Sequence, residues 1–463
     1  MTQQGLDLAE FSRLIRPMQK LILCLVACAF LPMSGVAAKK KGGKKFVINS
    51  FNTTKLTNKF WAEGAHFGDF DKDGNTDIVI GPYWYAGPDF KHIHEYYPAT
   101  NSFKVMGSDG IERSIVGFTG ELSGKNGYSD NFLTYTYDFD SDGWLDILVF
   151  GWPGKATTWY QNPGREGHSK HWQPHVVWNE TDNESPQLMD VTGDGKPELL
   201  CHARGFLGYV ELNWKDPTKL GEFRAISHFD KKAYFRYKHG YGAGDIDGDG
   251  LIDIVERDGW WKQPRDWDKK SRWKFKRAFF APKDARGGAQ MLVHDFNGDG
   301  FTDVATSHDG HGWGLSVYLQ YRDGALIHFD EVQVLGSKTA DNPYGVVFSQ
   351  IHALALADMD QDGQMDIVTG KRFWAHGPDK DADPDGAAVL YWFKTKKVRR
   401  SVEFIPFLIH DNSGVGTQVT VGDINGDSYP DVVVGNKKGA FLHLSEAKKV
   451  NWVDYNAYVP KLK

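Results

Sequence analysis

Residues 69–77 read Asp-Phe-Asp-Lys-Asp-Gly-Asn-Thr-Asp, and residues 78–81 continue with Ile-Val-Ile-Gly. Carboxylates therefore stand at positions 1, 3, 5 and 9 of a short loop, and Gly74 stands at position 6, where the chain turns sharply. Alternate side chains converge on one point, and the residue at position 7 adds its carbonyl oxygen. Such hard oxygen ligands predict a Ca²⁺ site. The apolar, β-branched run that follows predicts a buried strand, whereas the loop of an EF-hand lies between helices.

The same pattern occurs six more times, each time before an apolar run. The third copy departs from it with Thr192 at position 3 and Glu198 at position 9, and the seventh has Ser428 in place of the position-6 glycine. The predicted metal ligands, with the position-7 residues that would offer a carbonyl, are Asp69, Asp71, Asp73, Asn75, Asp77, Asp138, Asp140, Asp142, Trp144, Asp146, Asp190, Thr192, Asp194, Lys196, Glu198, Asp245, Asp247, Asp249, Leu251, Asp253, Asp295, Asn297, Asp299, Phe301, Asp303, Asp358, Asp360, Asp362, Gln364, Asp366, Asp423, Asn425, Asp427, Tyr429 and Asp431.

The spacing of the seven loops predicts the architecture. Their first residues are 50 to 69 positions apart, and a four-stranded antiparallel blade takes roughly 40–50 residues, or more with long loops. Seven such units close into a ring, so we predict an all-β, seven-bladed β-propeller. The repeated Asp-x-Asp-x-Asp-Gly-x-x-Asp-Ile-Val-x-Gly resembles the FG-GAP/VCBS repeats of integrin α-subunits and secreted bacterial proteins, over residues 46–445. The resemblance implies a calcium-binding propeller with up to seven structural Ca²⁺ ions.

The N-terminal segment, residues 1–38, predicts a signal peptide. An apolar run at 21–31 follows three basic residues and precedes Val-Ala-Ala at 36–38, which is typical of a cleaved secretory signal. The run is too short to span a membrane. Translation from Met18 and lipoprotein anchoring at Cys28 are alternatives that the sequence leaves open.

The remaining chain predicts a basic linker at 39–45 and one propeller domain at 46–463. Residues 46–51 match an outer strand, whereas the last copy ends at a third strand, so we expect the N-terminal strand to complete the last blade. Beyond residue 38 only Cys201 remains, so calcium would supply the cross-linking that disulfides supply elsewhere. The formal net charge of −6 reflects the acidic loops, and no basic patch with interleaved aromatic residues predicts a nucleic-acid partner.

Blade geometry predicts a second region, on the face opposite the loops. The first strand of each repeat runs toward its loop and the second runs away from it, so first-strand starts and second-strand ends meet on that face. First-strand starts there include Glu63, His66, Gln350 and Gln418. The predicted ligand-binding residues are His202, Arg204, Arg257, Trp260, Trp261, His308, His311, Lys371, Arg372, His376 and Lys437, and the candidates for proton transfer are His308, His352, His239 and Tyr241.

Two functions fit this cationic, histidine- and aromatic-rich mouth. The first is an exported propeller that binds a carbohydrate or a protein at the mouth, where Arg and Lys donate hydrogen bonds and Trp offers a stacking face. The second is a carbohydrate lyase or dehydratase, because the repeats also resemble the propeller portion of aldos-2-ulose dehydratase and of some polysaccharide lyases. β-Elimination needs a base such as His or Tyr and a cation that stabilises the enolate. The residues alone leave the choice open.

Overall fold

The computed structural model describes residues 46–106, 111–122, 128–288 and 290–463. The predicted signal peptide and linker lie outside these residues. The described chain is all-β apart from one short α-helix, α1 (Trp452–Tyr458), and two 3₁₀ turns at Arg165–Gly167 and Thr339–Asp341. Within the described ranges, no helix has the length and apolar character needed to cross a membrane.

The strands are short and follow one another closely along the chain. In chain order they are β1 (Phe46–Thr57), β2 (His66–Gly68), β3 (Asp77–Ile80), β4 (Tyr83–Ala86), β5 (His92–Glu95), β6 (Asn101–Met106), β7 (Glu112–Phe118), β8 (Leu133–Tyr137), β9 (Asp146–Phe150), β10 (Lys155–Gln161), β11 (Gln173–Met189), β12 (Glu198–Ala203), β13 (Phe206–Glu211), β14 (Glu222–Ala225), β15 (Tyr241–Gly244), β16 (Asp253–Glu256), β17 (Gly259–Lys262), β18 (Lys274–Arg277), β19 (Met291–His294), β20 (Asp303–Ser307), β21 (Leu315–Asp323), β22 (Leu326–Leu335), β23 (Leu354–Ala357), β24 (Asp366–Gly370), β25 (Leu390–Val398), β26 (Ser401–His410), β27 (Thr420–Gly422), β28 (Asp431–Asn436) and β29 (Gly439–Val450).

The strands form small antiparallel sheets. Five sheets have four strands, in the orders β2-β3-β4-β5, β15-β16-β17-β18, β19-β20-β21-β22, β23-β24-β25-β26 and β1-β29-β28-β27. A seven-stranded sheet runs from β8 to β14 in chain order, and β6 and β7 form a separate hairpin that the sequence did not predict. This hairpin lies in the longest interval between loops, which explains the extra length of that repeat.

Strand β11 explains the seven-stranded sheet. Its first part pairs with β10, from Gln173 opposite Gln161 to Thr181 opposite Lys155. Its last part pairs with β12, and Met189 lies opposite Glu198. One strand is therefore the outer strand of one four-stranded unit and the inner strand of the next.

The N-terminal strand closes the arrangement as predicted. Strand β1 pairs with β29 over its whole length, from Phe46 opposite Val450 onward, and forms the edge of the last sheet. The C-terminal α1 covers this pair, because Tyr455 stacks on Phe46 with ring centroids 4.8 Å apart and the Tyr458 hydroxyl donates to the Asn49 carbonyl at 2.6 Å.

The strand that follows each Asp loop is buried on both faces, which confirms that prediction in all seven copies. Neighbouring sheets pack through these strands: Val79 of β3 and Val149 of β9 share one apolar cluster, and Val255 of β16 and Val304 of β20 share another. The inner strands β15, β19, β23 and β27 are also neighbours in sequence order. Small antiparallel sheets that pack face to face in this order make a β-propeller-like fold.

Candidate functional site

The Asp loops, the nine-residue segments that begin at 69, 138, 190, 245, 295, 358 and 423, share one internal geometry. The position-9 carboxylate is buried and holds the loop onto its sheet. In the first copy, Asp77 Oδ2 accepts the Phe70 N–H at 2.8 Å and Oδ1 accepts the Gly87 N–H at 2.9 Å. In five other copies too, this Asp accepts one N–H from position 2 and one from a residue within or just after the third strand. The position-9 residue is therefore a structural anchor as well as a candidate ligand.

The position-1 and position-6 residues shape the turn. Asp69 Oδ2 accepts the Gly74 N–H at 3.1 Å, and the same bond recurs at each position 6. Gly74 has φ 92°, in the left-handed region that favours glycine. Ser428 adopts φ 75° and makes the same bond to Asp423 at 2.8 Å. The seventh loop thus keeps its shape without glycine, although the conformation is strained for serine.

The carboxylates of the Asp loops converge as a cation site requires. In the first loop, one oxygen atom each of Asp69, Asp71 and Asp77 lie within 4.8 Å of one another, and the second and third loops have equivalent groups. Burial raises the pKa of Asp77 to about 7, and the nearby charges of Asp71 and Asp69 add to this effect. Several oxygens at short range, with mutual repulsion that a cation would relieve, fit Ca²⁺.

Two loops hold a cation of their own. In the fourth copy, Lys262 Nζ donates to Asp247 and lies 2.6 Å from Asp249 Oδ2. In the sixth copy, Lys394 Nζ donates to Asp360 and Asp362. Burial opposes the charge on these lysines, but the paired carboxylates outweigh this effect and raise the pKa of both. The sequence does not distinguish these two loops from the first and second, because lysines 13 and 32 residues beyond the position-5 aspartate give no local signal.

A second group of ionisable side chains, here called the charged centre, is buried except for its half-buried members His376 and Asp381. It consists of Glu63, Glu184, His239, His311, His352, Arg372, His376, Asp381 and Lys437. Six of these residues are among the predicted ligand-binding and proton-transfer residues: His239, His311, His352, Arg372, His376 and Lys437. Glu63 was predicted on the same face. The structure therefore brings together about half of the predicted ligand and proton-transfer set.

Arg372 lies at the middle of the ion pairs in the charged centre. Its Nε is 3.0 Å from Glu63 Oε2, its Nη2 is 3.0 Å from Glu63 Oε1, and its Nη1 is 3.6 Å from Glu184 Oε2. Burial opposes the charge on the arginine, but Glu63 and Glu184 outweigh it and raise its pKa. Lys437 Nζ lies 3.6 Å from Glu63 Oε1, and burial lowers the pKa of this lysine to about 8. Arg372 is thus ion-paired inside the protein, although its Nη2 makes no hydrogen bond within the described residues.

The histidines lie beside these ion pairs. His239 Nε2 is 2.9 Å from His311 Nε2 and 3.6 Å from Glu184 Oε2. His311 Nδ1 faces Asp381 Oδ1 at 3.5 Å, and the His352 ring centroid is 4.6 Å from that of His311. Burial lowers the pKa of His311 to about 3 and that of His352 well below its ordinary value, so both rings are neutral at pH 7.

The other predicted mouth residues lie outside the charged centre. Trp260 and Trp261 belong to apolar clusters, His202 packs on Tyr234, and the Tyr241 hydroxyl donates to the Leu200 carbonyl at 2.7 Å.

The remaining four have partners of other kinds. His308 Nε2 lies 2.9 Å from Ser316 Oγ and 3.1 Å from Glu331 Oε1, and Lys371 Nζ donates to Ser349 Oγ at 2.6 Å. Arg257 pairs with its neighbour Asp258, and the exposed Arg204 lies over the Trp178 ring. These positions end their strands on the expected face, but local packing turns their side chains away from the charged centre.

Sequence reasoning missed Glu184 and Asp381. A signal for Glu184 exists: Glu63, Glu184, His239 and His352 each stand six residues before the first Asp of a loop. At that position the second copy has Phe132, whose ring lies 5.5 Å from the Arg372 guanidinium carbon. One repeat position therefore supplies the charged centre from several sheets. Asp381 lies in an irregular loop between β24 and β25, where four aspartates at alternate positions are indistinguishable by sequence.

Family models match the chain at the same repeats. The FG-GAP-like repeat model matches residues 138–201 and 295–369, and the FG-GAP repeat model matches residues 415–441. The chain therefore contains FG-GAP repeats. The matched ranges contain five of the seven Asp loops and confirm the resemblance seen in the sequence.

Three solved structures are distantly similar to this chain. An Agrocybe aegerita lectin that recognises non-reducing terminal N-acetylglucosamine is 15% identical, with a TM-score of 0.39 over 79% of this chain and 81% of the lectin. The V. cholerae biofilm matrix protein Bap1 is 13% identical, with a TM-score of 0.35 over 85% of this chain and 81% of Bap1. Rhamnogalacturonan lyase YesW is 14% identical, with a TM-score of 0.36 over 86% of this chain and 72% of the lyase. Likenesses of this extent assign no ligand and no activity to the chain.

Proposed function

We propose that this chain is an exported, calcium-stabilised, seven-bladed β-propeller that binds a carbohydrate beside its charged centre. Counting the shared β11 in both of its sheets gives seven four-stranded units, and each unit carries one Asp loop between its first and second strands. The converging carboxylates support up to seven structural Ca²⁺ ions. The signal-like segment at 1–38 supports export.

The observation that carries the binding proposal is a pair of half-buried tyrosines, Tyr128 and Tyr237, that pack on the buried Trp152 beside the charged centre. The Tyr128 ring is 4.2 Å from Trp152, which in turn is 5.9 Å from Tyr237. Lys437 Nζ lies 5.1 Å from the Tyr128 ring, and the charges of Arg372 and Glu184 act on its hydroxyl. An accessible aromatic face next to fixed donors and acceptors is what a polyhydroxylated ring needs for stacking and orientation.

Binding is tested with the mature chain in Ca²⁺, on an array of neutral and uronate-containing oligosaccharides followed by calorimetry. We expect a subset of sugars to bind, and Tyr128→Ala to weaken their binding by about 10-fold through loss of the stacking face. The matched control is Tyr321→Ala, which removes an exposed tyrosine on β21. If no sugar binds, or if Tyr128→Ala binds as the wild type does, the carbohydrate proposal fails and a protein ligand is tested next.

A second candidate function is β-elimination on a uronate or keto-sugar. The observation that favours it is the pairing of histidines with carboxylates, His239 with Glu184 and His311 with Asp381. A neutral imidazole held by a carboxylate can accept a proton, and the nearby Arg372 would stabilise an enolate. The same oligosaccharides, followed by ultraviolet absorbance of an unsaturated product, test this candidate. Turnover that His239→Gln abolishes supports it, and binding without turnover rules it out.

A further inference from the structure

Four side chains of the charged centre point their ligating atoms at one small volume. They are Glu184, His239, His311 and His352, here called the histidine cluster, and one ligating atom of each lies within 4.8 Å of all the others. All four residues are buried. The Asp loops consist of oxygen ligands, whereas this group is rich in imidazole nitrogens, so it selects a different kind of ion.

The closest pair in the histidine cluster has the spacing of two ligands on one ion. His239 Nε2 and His311 Nε2 are 2.9 Å apart. Two nitrogens at ~2.0–2.1 Å from a metal are ~2.9 Å apart at a right angle and ~3.3 Å apart at a tetrahedral angle. Glu184 Oε2 lies 3.6 Å from His239 Nε2, close enough for both atoms to bind the same ion.

His352 provides an independent sign of a missing partner. Its side chain is 1% exposed, and its Nε2 has no hydrogen-bond partner among the described residues. The other nitrogen of the ring, Nδ1, is 3.3 Å from the Gln350 carbonyl oxygen. A buried ring nitrogen without a partner costs free energy unless it meets a ligand.

Groups outside the histidine cluster orient its rings. His311 Nδ1 faces the Asp381 carboxylate at 3.5 Å, and His352 Nδ1 faces the Gln350 carbonyl. Metal-bound histidines commonly donate their second ring N–H to a carboxylate or a backbone carbonyl, which directs the free lone pair at the ion. Asp381 is itself held by His376 Nδ1 at 3.0 Å.

The charges around the histidine cluster leave Glu184 available to a cation. The neighbouring Arg372 places two of its nitrogens 3.0 Å from Glu63, whereas its contact with Glu184 is longer, at 3.6 Å. Lys437 adds its charge on the Glu63 side. The arginine is thus neutralised mainly by Glu63, and the carboxylate of Glu184 faces the three imidazoles.

We propose that the histidine cluster binds one first-row transition-metal dication of the zinc class, at a site separate from the calcium loops. Three imidazoles and one carboxylate are a ligand set that suits Zn²⁺ and also accepts Co²⁺. This proposal does not depend on the carbohydrate proposal, because the metal is detected without any sugar.

The test uses the mature chain with its Asp loops saturated by excess Ca²⁺. Transition ions are removed with 1,10-phenanthroline, which leaves Ca²⁺ in place, and Co²⁺ is then added while visible absorbance and bound metal are measured. We expect one equivalent of Co²⁺ per chain, the d–d bands of a nitrogen-rich site, and bleaching when Zn²⁺ displaces it. Wild-type protein that binds neither ion overturns the proposal.

Variants identify the ligands. We expect His352→Ala and Glu184→Gln to lose at least ten-fold in Co²⁺ affinity, whereas His443→Ala, a buried histidine outside the histidine cluster, keeps the wild-type affinity. Full retention of Co²⁺ by both ligand variants overturns the proposal. If a ligand variant does not fold, proton NMR of wild-type Co²⁺ protein decides: hyperfine-shifted, exchangeable imidazole N–H signals support the histidine cluster, and their absence at full occupancy contradicts it.

Discussion

Carboxylates occur in two contrasting regions of this protein. Those at positions 1, 3 and 5 of the Asp loops are half-buried or exposed, apart from the buried Asp360, and in most copies they have backbone N–H groups rather than cations as neighbours. Glu63, Glu184 and Asp381 of the charged centre face Arg372 or histidines of the chain itself. We therefore propose that the first region takes a cation from solution to relieve repulsion, whereas the carboxylates of the second region already have ionisable partners from the chain. The difference predicts which perturbation damages which region.

Calcium removal should have the largest effect. Each ion that binds only the folded chain adds about 2.7 kcal/mol to the free energy of unfolding when its free concentration is 100 times its dissociation constant. With several loops affected, we expect EGTA to lower Tm by roughly 10 °C or more. Calorimetry with and without EGTA measures this, and restoring Ca²⁺ should restore Tm. If Tm is unchanged in protein shown to be free of metal, calcium does not stabilise the fold.

Breaking the charged centre should come second. Arg372→Ala leaves Glu63 and Glu184 buried beside fewer cations, and loss of one partner from a buried ion pair costs about 3–5 kcal/mol. Urea unfolding in saturating Ca²⁺ measures the change. The matched control is Arg286→Ala, because Arg286 pairs with Asp309 at the surface and should contribute less than about 1 kcal/mol. Equal effects of the two variants would mean that the buried pairs are not stabilising.

Acid should act on buried histidines outside both regions. Burial lowers the pKa of His443 to about 3, with a smaller effect of His410. Because the folded pKa lies below the unfolded one, the stability from neutral His443 is present above about pH 6.5 and is lost as the pH falls, by about 2 kcal/mol at pH 5. His443→Gln should therefore lose less stability than the wild type between pH 7 and pH 5 in urea titrations. Parallel pH profiles would contradict the assignment.

The loops with internal lysines should depend less on calcium. Lys262 bridges Asp247 and Asp249, so Lys262→Met should leave the fourth loop uncompensated without Ca²⁺. We expect about 1 kcal/mol of extra destabilisation in EGTA and little change in excess Ca²⁺. Lys72→Met serves as the comparison, because Lys72 lies at position 4 of the first loop and over the Trp144 ring but bridges no pair of carboxylates within the described residues. Destabilisation of Lys262→Met by the same amount in both conditions would show a packing role instead.

The smallest expected effect is a gain in stability. Ser428 has φ 75°, where glycine is unstrained, so Ser428→Gly should stabilise the seventh loop by about 1 kcal/mol. The reverse change, Gly74→Ser at φ 92°, should destabilise the first loop by a similar amount. Urea titrations of both variants measure the pair, and changes of the same sign would contradict the role of position 6.

Sequence patterns predicted the regions whose contacts are local. The Asp loops and the buried strands after them depend on residues within nine positions, and even the closure by β1 followed from a missing fourth strand. The hairpin β6–β7 and the continuous β11 were not predicted, because neither changes the spacing in a way that distinguishes a strand from a long loop.

The charged centre was only half predicted, for physical reasons. Topology correctly placed His239, His352 and Arg372 on one face, but sequence could not show that Arg372 is buried against Glu63, which is 309 positions away. His308 and Tyr241 occupy equivalent strand ends, yet contacts with Ser316 and Leu200 direct them elsewhere. Side-chain direction at a strand end depends on neighbours from other repeats, which no single repeat encodes.

Equilibrium dialysis of the mature chain against ⁴⁵Ca²⁺ tests the central claim most directly. The account predicts several bound ions per folded chain, up to seven, and the loss of one ion when a single loop is disabled by Asp69→Asn together with Asp71→Asn. A folded chain that binds no calcium at millimolar free Ca²⁺ would contradict it.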